Sequence, residues 1–309
     1  MVTVPPVLDR LRAWTARELL ALTSLGPLAF ERQARYLVTQ RKVGHFRNPV
    51  TFSEKVNWRI LNDRRAVLVD TCDKLRAKER AARLGIAVPE TIWFGTDVSE
   101  LSGVNLPERW VLKPNHGSGY VYFGNGAVTD VAHLRAATRG WMRTSLASRS
   151  GEWAYLHARP ALVVEERLGQ DDEAPPDYKF FMFDGKPAAI FVEVDRISNW
   201  CRRIYTPDWS PLTVRLGLAG KIRPLAPVVP EPPTLPAMLD AASVLARDFD
   251  FVRVDLYSEH GQVYFGELTP YPAGGLARFW PRKFDLELGR HWNLPRLDDS
   301  GEELRDDRG

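Results

Sequence analysis

Residues 250–275 read D-F-V-R-V-D-L-Y-S-E-H-G-Q-V-Y-F-G-E-L-T-P-Y-P-A-G-G, and this stretch decides the fold. Phe251, Val252, Val254 and Leu256 suit a pleated strand, His260-Gly261 is a turn dipeptide, and Val263, Tyr264 and Phe265 climb back. The pattern predicts a β-hairpin. Asp255 and Glu267 interrupt the two apolar runs near their far ends. Counted outward from the turn they lie almost opposite, so the hairpin brings two carboxylates together. Buried like charges repel, and each would sooner take a proton than ionise beside the other. A divalent cation removes the conflict, and Mg²⁺ takes a few carboxylates together with phosphate oxygens and water. Arg253, two residues before Asp255 and on its face, adds a cation for phosphate. An ordinary amphipathic hairpin with its acids on a solvated face fits the same alternation.

The 309-residue chain has room for two compact domains. Its 44% hydrophobic and 26% charged residues are those of a soluble globular protein. Net charge is +3, from 42 basic and 39 acidic residues, too even a balance for nucleic acid to be the partner. Cys72 and Cys201 stand far apart and the six histidines lack ligand spacing, which fits a cytoplasmic, reducing setting. The apolar run Leu19–Phe30 is broken by Gly26-Pro27 and is too short to span a bilayer. Val7–Leu20 mixes Leu8, Leu11, Trp14 and Leu19 with Arg10, Arg12 and Arg17. Two expectations follow for it: a helix packed on the rest of the protein, or an interfacial helix giving peripheral attachment at the inner face of the membrane.

Residues 1–70 read as mostly helical, with Asn48-Pro49 as a break and Thr51-x-x-Glu54 as a capping box. A helix from Asp73 carries Lys74 at its start and ends at Gly85; a short strand, Thr91–Phe94, follows. Trp110–Leu112, Asn115-His116-Gly117-Ser118-Gly119 and Tyr120–Phe123 read as strand, glycine loop, strand. Glycines let a backbone close over phosphates and adopt positive φ. No G-K-[ST] follows and no helix opens there, so this is not a Walker loop, and a plain hairpin turn fits it as well. Val131–Leu146 reads as a helix, and Ala161–Glu166 as a buried strand ending in two acids. Asp177-Tyr178-Lys179 opens a strand to Phe183, Asp184-Gly185 is a tight turn, and Ala188–Val194 returns, with Arg202 and Arg203 beyond. Pro224–Pro236 reads as a rigid spacer, Met238–Phe249 as an amphipathic helix, and Asp298–Gly309 as a frayed polar tail.

Four segments, N-P-V-T-F-S-E-K-V-N-W at 48–58, V-L-K-P-N-H-G-S-G at 111–119, D-Y-K-F-F at 177–181 and R-V-D-L-Y…F-G-E-L-T-P at 253–270, resemble in order and spacing the TupA-like branch of the ATP-grasp superfamily. That branch is associated with teichuronopeptide and other bacterial surface-glycopolymer gene clusters. The superfamily resemblance runs from about Asp73 to Gly275. It implies an α+β fold in which a small β-rich lid subdomain and a larger antiparallel-sheet domain clasp ATP, after an N-terminal helical region. The implied units are 1–72 (N-terminal helices), 73–107 (linker helix and strand), 108–165 (lid), 166–297 (catalytic domain) and 298–309 (disordered tail).

The resemblance also implies ATP and Mg²⁺ as ligands and assigns residues to them. Lys74 and Lys113 resemble the lysines on the α- and β-phosphates, and Gly117, Ser118 and Gly119 the lid over the β- and γ-phosphates. Glu165, Glu166, Arg167 and Leu168 resemble the hinge whose backbone reads adenine. Asp177 resembles the acid on the ribose, Lys179 a basic residue facing the phosphates, and Arg253 the cation beside the transferred phosphoryl group. Arg253, Lys179 and Lys113 are thus the catalytic candidates. Asp255 and Glu267 resemble the magnesium ligands. Thr269 stands where the family has Asn or Asp, and a hydroxyl ligates Mg²⁺ less often, which bears on a second metal ion. Arg202, Arg203, Gly274 and Gly275 are the substrate-side candidates. The implied chemistry is ATP-dependent joining of a small-molecule or glycan-linked carboxylate to an amine, through an acyl phosphate. Such a reaction asks for position, charge and exclusion of water. Two rivals share the scaffold: a phosphotransferase on a sugar or small molecule, and a non-catalytic nucleotide-binding scaffold.

Overall fold

The computed structural model describes residues 26–143, 150–169, 175–194, 201–218, 221–222 and 224–304; the expected amphipathic segment 7–20 lies outside them. Four helices open the described chain: α1 (Pro27–Gln40), α2 (Phe52–Asn62), α3 (Val67–Cys72) and α4 (Lys74–Arg83). The capping box forms as expected. The Thr51 hydroxyl accepts from the Glu54 N–H at 3.3 Å, and the Glu54 carboxylate accepts from the Thr51 N–H at 3.1 Å. Asp73 caps α4, with Gly85 just past its end at φ 76°.

A small antiparallel sheet follows, built from β1 (Thr91–Gly95), β2 (Arg109–Pro114), β3 (Tyr122–Asn125) and, after α5 (Val131–Ala137), β4 (Leu162–Glu166), in the order β1-β4-β2-β3. Trp110, Leu112, Leu162 and Val164 turn to one face and pack against Leu101, Leu134 and Trp141. The other face carries Lys113 and Glu165. The linker strand 91–95 joins this sheet, with β4 as its partner. α5 ends sooner than the expected 131–146 helix: Gly140, at φ 85°, breaks it before a 3-10 turn at Trp141–Arg143.

The rest of the chain supplies β5 (Asp177–Phe183), β6 (Lys186–Val194), β7 (Cys201–Tyr205), β8 (Pro211–Leu212), β9 (Arg215–Leu218), β10 (Lys221–Ile222), α6 (Leu235–Ala246), β11 (Phe251–Glu259), β12 (Gln262–Thr269), β13 (Arg278–Trp280) and α7 (Lys283–His291). Six of the strands make the large sheet, β12-β11-β5-β6-β7-β8. Strand alternation decides what each face does. Val252, Val254 and Leu256 join Phe180, Met182 and Ile190 on one face, under α4 and α6. Phe251 joins Phe181, Phe183 and Phe191 on the other, under α2, α3 and α7. The N-terminal helical region, as expected, precedes the two sheets, and it packs as one layer on the large one: without it an aromatic sheet face would be left in water.

Two further expectations change. Pro224–Pro236 is not a spacer. It runs beside β7, where Ala226 N–H donates to Arg202 O at 3.0 Å and Val229 N–H to the Tyr205 hydroxyl at 2.9 Å. α6 starts at Leu235, before Met238, with Pro236 in its first turn, where a missing N–H costs nothing. The tail is docked over 298–304: Gly301 O accepts from Arg64 N–H at 2.8 Å, and Glu303 pairs with Arg65 at 3.2 Å. Residues 305–309 lie outside the described chain. Among the described residues no helix is long and apolar enough to cross a membrane.

Candidate active site

The β11–β12 hairpin turns at His260 (φ 49°) and Gly261 (φ 77°), a pair of left-handed residues that matches the strand twist. That register sets Asp255 directly opposite Glu267. A bulge follows, and Gly266 sits in it. A Cβ there would come within 2.9 Å of Asp255 O, so the bulge takes only glycine without displacement.

The two carboxylates do not face each other bare. Arg253 Nε and Nη2 donate to Asp255 Oδ1 and Oδ2, each at 2.6 Å, and Nη2 also donates to Glu267 Oε1 at 2.6 Å. From β5, Lys179 Nζ donates to Asp255 Oδ2 at 2.7 Å and to Asp177 Oδ2 at 2.6 Å. Thr269 Oγ1 donates to Glu267 Oε1 at 3.2 Å. Burial alone would raise the Glu267 carboxyl, but Arg253, Lys74, Lys179 and Lys113 outweigh it and hold it at about 2. Lys179 is displaced the other way: burial lowers it, and Asp177 and Asp255 more than reverse that.

The small sheet brings the second group of cations. Lys113 Nζ pairs with Glu165 Oε2 at 2.6 Å. Lys78, on the same face of α4 as Lys74 one turn earlier, reaches Glu165 Oε1 at 3.1 Å and Thr91 Oγ1 at 2.6 Å. Lys74 Nζ donates to Gly117 O. Asn115 ties the glycine loop to the start of α4: its Oδ1 accepts from Leu75 N–H at 2.9 Å. The loop opens no helix, as the sequence predicts, and Gly119 holds a left-handed φ of 83°. At the hinge, Glu166 N–H bonds Glu90 O at 3.0 Å and Arg167 N–H bonds Arg109 O at 3.3 Å. Leu168 N–H has no partner among the described residues. The Glu165 side chain, beyond its backbone, is therefore part of the cation cluster.

The substrate-side candidates separate. Glu193, on β6 opposite Asp177, holds Arg202 and lies 3.7 Å from Lys179. Arg203, the next residue along, points to the opposite face of the sheet, where its Nε donates to Ala226 O at 2.6 Å. Strand alternation forbids both arginines from serving one site, and Arg203 is out of it. Gly274 and Gly275 lie in the loop after β12, buried, at φ 56° and 65°. Gly274 O accepts from Arg32, and Gly275 O from Asn57 Nδ2 at 3.0 Å. The sequence reading missed Lys78 and Glu193. Both carried a signal: Lys78 follows Lys74 by four on one helix face, and Glu193 is an acid inside an apolar strand, as Asp255 is.

Among the described residues no three His, Cys, Asp or Glu side chains cluster as a complete metal cage. The donors that do meet are the carboxylates of Asp255 and Glu267 and the Thr269 hydroxyl. They are hard oxygens on adjacent strands, the incomplete set that Mg²⁺ accepts when phosphate and water fill the remaining positions.

No curated protein matches the sequence. Solved structures similar to it include the D-alanine–D-alanine ligase from Bacillus anthracis complexed with ATP (16% identity, TM-score 0.37, covering 65% of this chain and 53% of that one). The L-amino acid ligase from Bacillus licheniformis (13%, TM-score 0.42, 67% and 44%) and the N5-carboxyaminoimidazole ribonucleotide synthetase from Thermus thermophilus (13%, TM-score 0.36, 65% and 45%) are two more. The chain spans about half the length of each. The family model of TupA-like ATP-grasp proteins matches residues 54–293, most of the chain, and the protein belongs to that family, with the ATP-grasp fold.

Proposed function

We propose that the protein is an ATP-dependent ligase that activates a carboxylate as an acyl phosphate and joins it to an amine. One observation carries this reading: Arg253 and Lys179 contact the Asp255 and Glu267 carboxylates, and the charges of Lys74 and Lys113, from other segments, also act on Glu267. That concentration of positive charge fits a polyphosphate. Lys74 and Lys113 would hold the α- and β-phosphates under the 117–119 loop, the Leu168 amide would meet adenine, and Asp177 the ribose. Asp255, Glu267 and Thr269 would hold Mg²⁺, which supplies neutralising charge between phosphates. A substrate carboxylate oxygen attacks the γ-phosphorus as the bond to ADP breaks, with Arg253 and Lys179 placed to balance charge on the transferring group. The amine then attacks the acyl carbon and phosphate leaves. Closure of the glycine loop would keep water from the acyl phosphate. The family's association with surface-glycopolymer clusters favours a glycan-linked or small-molecule carboxylate.

The test is an ADP-release screen over uronic acids, amino acids and their pairs, with mass spectrometry of the products. An amide product with inorganic phosphate supports the reading. A phosphorylated product would make the protein a phosphotransferase, and no ADP from any pair would make it a nucleotide-binding scaffold.

A further inference from the structure

Three carboxylates surround one ammonium. Lys179, on β5, is 8% exposed. Its Nζ donates to Asp177 Oδ2 of its own strand at 2.6 Å and to Asp255 Oδ2 of β11 at 2.7 Å. The third carboxylate, Glu193 of β6, stops at 3.7 Å, outside hydrogen-bond range. An ammonium has three N–H donors, so one of those on Lys179 makes no hydrogen bond among the described residues. That distance has a cause. Glu193 stands directly opposite Asp177 on one side and Arg202 on the other. Acids directly opposite repel, and Glu193 is only 4% exposed, so it needs a cation beside it. Lys179 and Arg202 both lie on its face of the sheet. Glu193 gives its Oε1 to Arg202. Arg202 is held in place a second way: its guanidinium lies over the Phe191 ring, 5.7 Å from the centre, and Phe191 is two residues before Glu193 on β6. Arg202 thus anchors the acid that would otherwise complete the cage around Lys179.

The geometry points to Arg202 as a positioning residue: by holding Glu193 back, it leaves Lys179 one N–H to give to the γ-phosphate of ATP. This rests on the reading above, in which ATP is the ligand and Lys179 faces the transferring group. The two arginines of the site then have different roles. Arg253 bridges Asp255 and Glu267 directly. Arg202 acts only through Glu193, and through it on Lys179. Released from Arg202, Glu193 needs to move about one ångström to bond Nζ as closely as Asp255 does. The ammonium would then face three carboxylates with no donor left, and an arriving phosphate would meet a negative charge in place of an N–H. Arg202→Met and Glu193→Gln are therefore expected to act in opposite directions on Lys179, although the two residues form one ion pair.

A suppressor pair tests this, and it needs no acceptor. The readout is how much more tightly the protein, with magnesium, binds the β,γ-imido analogue of ATP than ADP, which lacks the γ-phosphate. Arg202→Met keeps a side chain over Phe191 and removes the anchor. It is expected to lower that preference about ten- to a hundredfold, the usual contribution of one charge-assisted hydrogen bond. Adding Glu193→Gln or Glu193→Asp should restore most of it, because Gln brings no charge to Lys179 and Asp is too short to reach it. Arg202→Lys still offers Glu193 a cation and should lose little. An arginine that itself binds phosphate or substrate gives a loss that neither second change restores, and that result overturns the inference. Adenosine binding reports the fold: if Arg202→Met loses it and Glu193→Gln does not repair it, the pair is structural and the inference is likewise overturned. Wild-type protein that does not distinguish the two nucleotides sinks the γ-phosphate reading and this role together, whereas a preference lost in the single variant and absent from the double sinks this role alone.

Discussion

At the scale of single residues, the centre of the molecule is a conflict between Asp255 and Glu267 that Arg253 and Lys179 answer. Glu267→Gln keeps the shape and the place of the Thr269 contact but removes one charge. The expected outcome is lost turnover in a folded protein, with nucleotide affinity that no longer responds to magnesium. Near-normal turnover would show that Glu267 is not a metal ligand. Asp255 and Glu267 were legible in the sequence because an acid in an apolar strand stands out and a turn dipeptide sets its partner. Glu152, an acid buried against the 272–275 loop, was not. It sits outside any periodic segment, and its surroundings come from α1, α3 and the 272–275 loop, more than a hundred residues away in either direction along the chain for Arg32 and Gly274.

At the scale of elements, the glycine loop and the strand that delivers Lys113 act together. Lys113→Ala removes one charge-assisted contact to phosphate, worth about 1.5–3 kcal/mol, so ATP binding should weaken roughly ten- to a hundredfold. Adenosine lacks phosphates and should bind almost unchanged. Equal losses for the two ligands would mean that Lys113 matters for pairing Glu165 and holding the sheet, not for phosphate. Gly119 tests the loop itself. A Cβ there meets nothing within 4 Å, so the first cost of a substitution is conformation, not space. Valine disfavours the left-handed φ of 83°, and the loop would relax to another path. Turnover should fall more than stability, and ADP should be released in excess of amide product as water enters. A ratio that stays at one would show that the loop positions phosphate without shielding an intermediate. These elements were readable as strand, loop, strand, because glycine and strand-forming residues carry local signals. Their joining to α4 through Asn115 was not, since a side chain that caps a distant helix leaves no periodic trace.

At the scale of the whole molecule, Asp250 joins what the sequence could only place in separate regions. Arg59 of α2 donates to both its oxygens at 2.6 Å, Arg65 donates to Oδ1 at 2.6 Å, and the Trp292 indole donates to Oδ2. Arg59 is fully buried and stacks over Trp292, 4.4 Å from its ring centre. One carboxylate thus ties the N-terminal helices and the segment after α7 to the start of β11. The N-terminal helical region was legible in the sequence and its packing partner was not, for a physical reason: a helix with one apolar face shows that it packs, but not on what. Asp250→Asn strands buried guanidinium charge and is expected to cost about 3–5 kcal/mol in chemical denaturation.

The same site gives a pH signature, and its sign is opposite to that of Glu152. Burial raises the Asp250 carboxyl, but Arg59 and Arg65 outweigh it and hold it below its ordinary value of 3.8. Its contribution to stability is therefore present above that value and lost as pH falls through the lower folded one. Glu152 is raised from 4.5 to about 7 by burial, so its contribution is present below 4.5 and lost as pH rises through about 7. Stability should fall away on both sides of a weakly acidic optimum. Denaturant midpoints measured between about pH 3 and pH 8 check this. Asp250→Asn should flatten the acid limb from a lower plateau, and Glu152→Gln should flatten the neutral limb while leaving the acid limb in place. If Glu152→Gln leaves the neutral limb unchanged, that carboxyl is not held protonated by the fold.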